Sequence, residues 1–353
     1  MNYIFLIAPS FFITFCSIWL VRRLAFKNNW YVNPSINRWH KEPTALHGGI
    51  GFIPIMLCLQ VYFVAKLGMN TPNIFWALIL GVAFIFCLGW IDDIRPLGAF
   101  KKLFFQIIAS SFFIHSGGSI NFFSNELINI LISYLWFIII INSLNMLDNM
   151  DGLAIGVSCI SIIFLVAVSY SSSSLSLNPI VILLGIISVA SMAAFWLFNF
   201  NPASIFMGDS GSLSIGYILA AFTIPGEINF SYGVSNSSSL ESLIIFLIPL
   251  ALLSTQIFDF CFVTISRLLR GIKPYIGGKD HSSHGFALLG LNDKYAVYIL
   301  YLLSVLGGIL ALTLKIYLLK ALPFFLAYFI FLISLGCVLR FLVNKKSNEI
   351  IST

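Results

Sequence analysis

The sequence predicts an all-α, polytopic integral membrane protein of about eleven transmembrane helices, with its N-terminus periplasmic and its C-terminus cytoplasmic. Three observations carry this prediction. Of 353 residues, 59% are hydrophobic and only 9% charged, with a mean hydropathy of +0.99; a water-soluble domain carries about 25% charged residues. The apolar residues fall in runs of roughly 20, the length that crosses a bilayer as a helix. Of the 19 Lys and Arg, 16 fall on one side of the alternating connections, leaving Lys66, Lys315 and Lys320 on the other, the bias that places basic loops in the cytoplasm.

Taken in order, the apolar runs lie near 3–24, 48–66, 73–90, 102–118, 127–147, 153–170, 178–198, 212–225, 242–263, 295–314 and 322–342. Arg22 and Arg23 follow the first run rather than precede it. That is the reverse of a cleaved leader, so a retained first span is expected. The eighth run is short, with Gly211 and Gly216 near its start. No run alternates with period two between turn signals, which argues against a β-barrel. The six cysteines lie in apolar runs without a C-x-x-C pair, against a disulfide framework or a structural zinc. The net charge of +6 sits at loop ends, so nucleic acid is not an expected partner. The outer connections 171–177 and 226–241, rich in Ser, Asn and Gly, read as solvated loops. No repeat or linker divides the chain, and residues 1–353 are expected to form a single membrane domain.

The acidic residues carry the chemistry. Aspartates gather at the inner ends of spans, where topology has no need of them and where an ionisable group is a functional candidate by default. Asp92 and Asp93 are adjacent, followed by Arg95, Lys101 and Lys102. Neighbouring carboxylates raise one another's pKa unless a cation stands by them, and Mg²⁺ takes one or two carboxylates together with phosphates and water. A second run places Asn142, Asn145, Asp148 and Asp151 at every third position before Gly152. These residues suit a polar substrate edge or the outer shell of a metal; hydrogen bonding between helices would explain the asparagines but not both aspartates. A third run, Phe198 to Ser212, surrounds Asp209 with Pro202, Gly208 and Gly211. Ser210 and Ser212, at the start of a helix, suit a phosphate. The fourth lies in the inner loop 264–294 and holds Arg267, Arg270, Lys273, Lys279, Asp280, His281 and His284. It suits pyrophosphate binding or proton handling, with a lipid-headgroup patch as the plainer reading of the arginines.

These motifs, in this order over nearly the whole chain, resemble the polyprenyl-phosphate N-acetylhexosamine-1-phosphate transferases of glycosyltransferase family 4. The resemblance rests on Asp92-Asp93, the run Asn142 to Leu153, the run Phe198 through Ser212 and the histidine loop. It implies that Asp209 binds a catalytic Mg²⁺ (or Mn²⁺), with Asp92 or Asp93 completing the shell. It implies that Phe206 stacks on uracil, that Asn199 holds the nucleotide, and that Asp148 and Asp151 line the nucleotide and metal pocket. His281 and His284 would contact the pyrophosphate, and the basic loop with Arg38, His40 and Lys41 would bind phosphate. The implied partners are a UDP-N-acetylhexosamine, such as UDP-N-acetylglucosamine, and undecaprenyl phosphate, met at the cytoplasmic face of a bacterial inner membrane, with a homodimer as a compatible assembly.

Three departures stand out. Ala45, Leu46 and His47 follow Thr44 where the family often has Pro-Arg before Gly-Gly, Asn149 replaces a glycine, and the histidine motif reads His281-Ser282-Ser283-His284 before Gly285. The last argues against the phospho-MurNAc-pentapeptide translocases of peptidoglycan synthesis. The expected activity is therefore sugar-1-phosphate transfer onto the lipid with release of UMP, a first membrane step of surface polysaccharide synthesis of lipopolysaccharide, common-antigen or teichoic acid type. A secondary transporter would place its acids at mid-span in paired halves, a pattern not seen here.

Overall fold

A computed structural model describes residues 3–33, 43–170, 178–224, 239–278 and 280–352. It is helical throughout, apart from one two-stranded antiparallel ribbon. Every apolar run of the sequence is helical. A 3-10 turn leads into α1 (Ile7–Lys27), followed by α2 (Gly48–Lys66), α3 (Asn73–Ile94), α4 (Ala99–His115), α5 (Glu126–Leu147), α6 (Leu153–Tyr170) and α7 (Asn178–Asn199). Next come α8 (Gly208–Thr223), α9 (Ser239–Leu252), α10 (Ser254–Leu268), the short α11 (Ser282–Leu288), α12 (Asp293–Tyr317) and α13 (Leu322–Ser352). Among the described residues, seven helical stretches are long and apolar enough to cross a bilayer, one of them Asp293–Lys345, and the bent pair α9–α10 makes an eighth if it is one span.

Burial explains why the eighth run is short. Every residue of α8 from Ser210 to Thr223 is buried. Its neighbours are α3, α5 and α2 rather than lipid, so it need not span a full hydrocarbon width with its own side chains. Small residues make this central position possible. A Cβ on Gly216 would lie 2.7 Å from the Ile141 backbone, and one on Gly81 would lie 2.0 Å from the Tyr217 hydroxyl oxygen. Close crossings of this kind are the rule where helices pack without water between them. The Tyr217 hydroxyl is itself satisfied, donating to the Ala109 carbonyl at 2.9 Å.

The ninth run departs from a single span. It breaks at Leu253, and the two halves meet at 75°. Pro249 removes a backbone donor just upstream. A broken helix inside a bilayer needs its freed backbone groups satisfied by protein. Here Ser161 of α6 donates to the Leu252 carbonyl at 3.0 Å, and Gln256 donates to Ser161 at 3.0 Å.

The ribbon pairs β1 (Tyr31–Val32) with β2 (Thr44–Ala45), and β2 also runs beside the loop after α7. Phe206 N–H donates to the Ala45 carbonyl, while Gly48 and Gly49 N–H donate to the carbonyls of Phe206 and Met207, each at 2.8 Å. The connection between α1 and α2 thus clamps the segment that leads into α8. The cysteines are free thiols, mostly exposed.

Gly81→Ala is expected to lower stability by about 1–3 kcal/mol through overpacking, read as a lower unfolding midpoint of the detergent-solubilised protein. An unchanged midpoint would mean that α3 and α8 do not approach this closely.

Candidate functional site

The site is built on the first turn of α8. Asp93, in the last turn of α3, accepts hydrogen bonds from the Asp209 N–H at 2.7 Å, the Ser210 N–H at 3.1 Å and the Ser210 hydroxyl at 2.8 Å. A carboxylate here satisfies orphan donors and opposes the positive end of the helix dipole. The contact demands glycine on both sides. Gly208 has φ +74° and a Cβ there would sit 2.7 Å from Asp93 Oδ2, while a Cβ on Gly89 would sit 2.5 Å from the Asp209 carbonyl oxygen.

With its backbone fixed, Asp209 presents its side chain to two partners. Oδ1 accepts from Asn145 Nδ2 at 3.1 Å, and Oδ2 accepts from Lys102 Nζ at 3.0 Å. Lys102 also donates to Asp92 Oδ2 at 3.1 Å, so one ammonium ties two carboxylates from different helices. Asp92 Oδ1 takes the Leu97 N–H at 2.5 Å, which holds the turn that sends α4 back beside α3.

Asp209 opens on a cavity of about 510 Å³ lined by Asn145, Asp148, Asp151, Phe206, His284 and Lys294, among others. Asp148 follows the last residue of α5, and no donor among the described residues meets its carboxylate. Burial, followed by the nearby charges of Asp209, Asp93 and Asp151, pushes it up to about 8. Asp151 differs: one oxygen accepts from Asn201 Nδ2 at 3.1 Å and from the Ala203 N–H at 3.0 Å, which shapes the cavity wall.

The histidine segment approaches from the far side. His281 Nδ1 lies 2.9 Å from Asp259 Oδ2. Asp259 Oδ1 accepts from the Ser282 N–H at 2.8 Å and the Ser282 hydroxyl at 2.6 Å. This buried aspartate of α10 therefore orients both the ring and the start of α11. Ser283 donates to Asn149 Oδ1 at 2.7 Å, joining α11 to the turn between α5 and α6. His284 faces the 510 Å³ cavity, whereas His281 lines a different hollow.

Several expected residues thus meet, and others have structural partners. Asp92, Asp209, Asn145, Asp148, Phe206 and His284 gather at or beside the cavity. Asp93 turns both oxygens to α8, so a place in a metal shell is not the geometry observed. Asn199 lines the cavity, its side chain accepting from the Gly152 N–H at 3.1 Å and donating to the Ile205 carbonyl at 2.9 Å. Asn142 donates to Gln106 of α4 at 2.8 Å. Arg267 and Arg270 bind Asp280, at 2.6 and 2.5 Å, and these guanidinium contacts hold the Asp280 carboxyl below its usual range despite its partial burial. Arg38, His40, Lys41 and Lys279 lie outside the described residues.

Two functional residues escaped the sequence reading. Lys102 shows only as the second of a basic pair, and nothing local reveals that the Pro96-Leu97-Gly98 turn returns it to Asp92. Asp259 left a clear signal, an acid inside an apolar run, which by cost alone marks a candidate.

Among the described residues, no three His, Cys, Asp or Glu side chains converge as a ready-made metal site. The donor chemistry still fits a hard divalent cation. Asp92 and Asp209 share one ammonium, and beside them Asp148 is a carboxylate without a donor, the kind of charge excess that Mg²⁺ relieves.

Residues 75–227 match the family model described as Glycosyl transferase family 4. A probable undecaprenyl-phosphate N-acetylglucosaminyl 1-phosphate transferase of Bacillus subtilis is 29% identical over 306 residues, 84% of this chain and 80% of the relative. A decaprenyl-phosphate N-acetylglucosaminephosphotransferase of Mycolicibacterium smegmatis is 28% identical, over 82% of this chain and 76% of its own length. A phospho-N-acetylmuramoyl-pentapeptide-transferase of Dictyoglomus thermophilum is 27% identical, over 77% and 85% respectively.

Two substitutions at neighbouring carboxylates should differ in their effect on stability. Asp93→Ala strands buried donors of α8 and is expected to cost about 1–3 kcal/mol. Asp148→Asn removes a carboxylate crowded by others, and its unfolding midpoint should equal or exceed that of the native protein. Thermal unfolding in detergent reads both, and a lower midpoint for Asp148→Asn would contradict the charge crowding.

Proposed function

We propose that the chain, which matches glycosyl transferase family 4 over residues 75–227, moves an N-acetylhexosamine-1-phosphate from a UDP-sugar to undecaprenyl phosphate. The observation that carries the reading is Asp209, held by Lys102 and Asn145, at the edge of a 510 Å³ cavity that also contains Phe206. The relatives' names point to N-acetylglucosamine as the sugar. The basic bias of the loops on the site's side supports a reaction at the cytoplasmic face of a bacterial inner membrane.

In this reaction an oxygen of the lipid phosphate attacks the β-phosphorus of the nucleotide sugar. The bond from that phosphorus to the bridging oxygen breaks, and UMP leaves with the oxygen. Protein groups have little covalent work in such a transfer; they position and neutralise. Phe206 offers an aromatic face to the base. Lys102 exchanges one carboxylate partner for a phosphate oxygen, keeping positive charge beside the reacting centre. Asn145 steadies the Asp209 carboxylate. Asp259 fixes the ring of His281 and the start of α11, and so the register that carries His284 to the cavity. Asp209, Asp92 and Asp148 would hold the Mg²⁺ (or Mn²⁺), which when bound supplies charge stabilisation for the departing phosphate.

Membranes supplied with Mg²⁺, undecaprenyl phosphate and a panel of UDP-sugars should release UMP, with UDP-N-acetylglucosamine or another UDP-N-acetylhexosamine the productive donor. Asp209→Asn should reduce that release by about two orders of magnitude or more, the scale of losing a central electrostatic contact; near-normal turnover would reject the assignment. Apparent Mg²⁺ affinity should rise with pH between about 7 and 9, because a protonated Asp148 cannot ligate and loses its proton near 8. Asp148→Asn should flatten that dependence.

A further inference from the structure

Two cavities lie away from the carboxylate site and adjoin one another. An apolar groove of about 240 Å³ runs between α10 and α13, lined by Phe258, Phe262, Ile265, Phe329, Ile333 and Gly336. Next to it a more polar hollow of about 180 Å³ is lined by Arg270, Asp280, His281, Arg340 and Asn344. Phe262, Ser266 and Arg340 border both. The pair therefore has the shape of an amphiphile, a tail channel with a polar head at one end.

The charge of the head end is unbalanced. Asp280 is the sole acid lining the hollow among the described residues, and Arg267 already takes both its oxygens, at 2.9 and 2.6 Å. Arg270 adds a second guanidinium to the same carboxylate. Arg340 stands half-buried in the apolar helix α13, and no acceptor or carboxylate among the described residues meets it. A cation in an apolar helix is costly unless it is paired or reaches the headgroups. Basic pockets between spans on the cytoplasmic side are suited to anionic lipid heads.

The position of the hollow argues against the lipid that reacts. Neither cavity shares a lining residue with the 510 Å³ cavity. Helix α11 stands between them, with His281 on the hollow and His284 on the larger cavity. A phosphate lodged beside Arg340 is thus on the wrong side of α11 to meet Asp92 and Asp209. We propose that α10, α11 and α13 form a site for a resident anionic phospholipid, its phosphodiester head at Arg340 and Arg270 and one acyl chain in the groove. The lipid neutralises Arg340 and fills the back of α11, the helix that presents His284 on its other face.

The test reads lipid retention and needs no turnover, so it can fail while the transferase reading stands, and the reverse. The full-length protein, reconstituted with phosphatidylglycerol or phosphatidylcholine and stripped in detergent, is weighed intact by native mass spectrometry. The native protein and Arg340→Lys should keep one phosphatidylglycerol and release phosphatidylcholine. Arg340→Gln should weaken retention about fivefold, the share of one basic residue at an anionic surface. Gly336→Leu should block the chain, because a Cβ there already lies 3.4 Å from the Phe258 ring and the rest of the side chain must enter the groove. Should that variant not fold, the Gln and Lys pair at 340 decides alone. Equal retention by Arg340→Gln, or equal retention of phosphatidylcholine, would overturn the proposal. So would undecaprenyl phosphate displacing phosphatidylglycerol with a matching rise in its KM in Arg340→Gln, which would make the groove an acceptor site.

Discussion

The hydrogen bonds from the first turn of α8 to Asp93 are the constraint on which the rest depends. A helix that starts inside a membrane protein exposes N–H groups that neither lipid nor water can satisfy. One carboxylate from α3 takes two of those N–H groups and the Ser210 hydroxyl. This sets the height and rotation of α8, and the direction in which Asp209 points. The glycines at 49, 89 and 208 follow from the same need, since a Cβ at any of them would collide with the turn or its cap. Asp92 and Asp93, adjacent in sequence, consequently divide the labour: one builds the helix start, the other shares Lys102 with Asp209.

A second layer of support stands behind the cavity. Asn199, Asp151 and the paired segment 203–207 fix its wall, while Asp259 fixes the histidine segment from behind. Asn199 and Asp259 are buried and Asp151 partly so, and each has hydrogen-bond partners, so these groups stiffen the site. The break at Leu253 serves the same end. It brings the polar start of α10, with Asp259, to the level of α11, and Ser161 compensates the lost backbone bond.

Much of this was legible in the sequence. Apolar runs gave the helices in order, because a bilayer imposes a length that only one kind of element meets. Asp209, Asp148 and Asp92 were legible because acids at membrane depth are costly and need a reason. The rest depended on contacts between distant segments. Asparagine spacing cannot tell Asn145, which reaches Asp209, from Asn142, which reaches Gln106. Nor does an Asp-Asp pair reveal which member faces a helix start. The bend at Leu253 was hidden within one apolar run, with only Pro249 and the polar Ser254–Gln256 as hints.

The bond between Ser283 and Asn149 joins the histidine segment to the turn after α5. Together the two residues form one connection across 134 positions of sequence. Replacing either residue singly with an apolar one would leave a stranded partner at the rim of the cavity. The two segments are better regarded as a single structural part, to be exchanged jointly when chimeras are built.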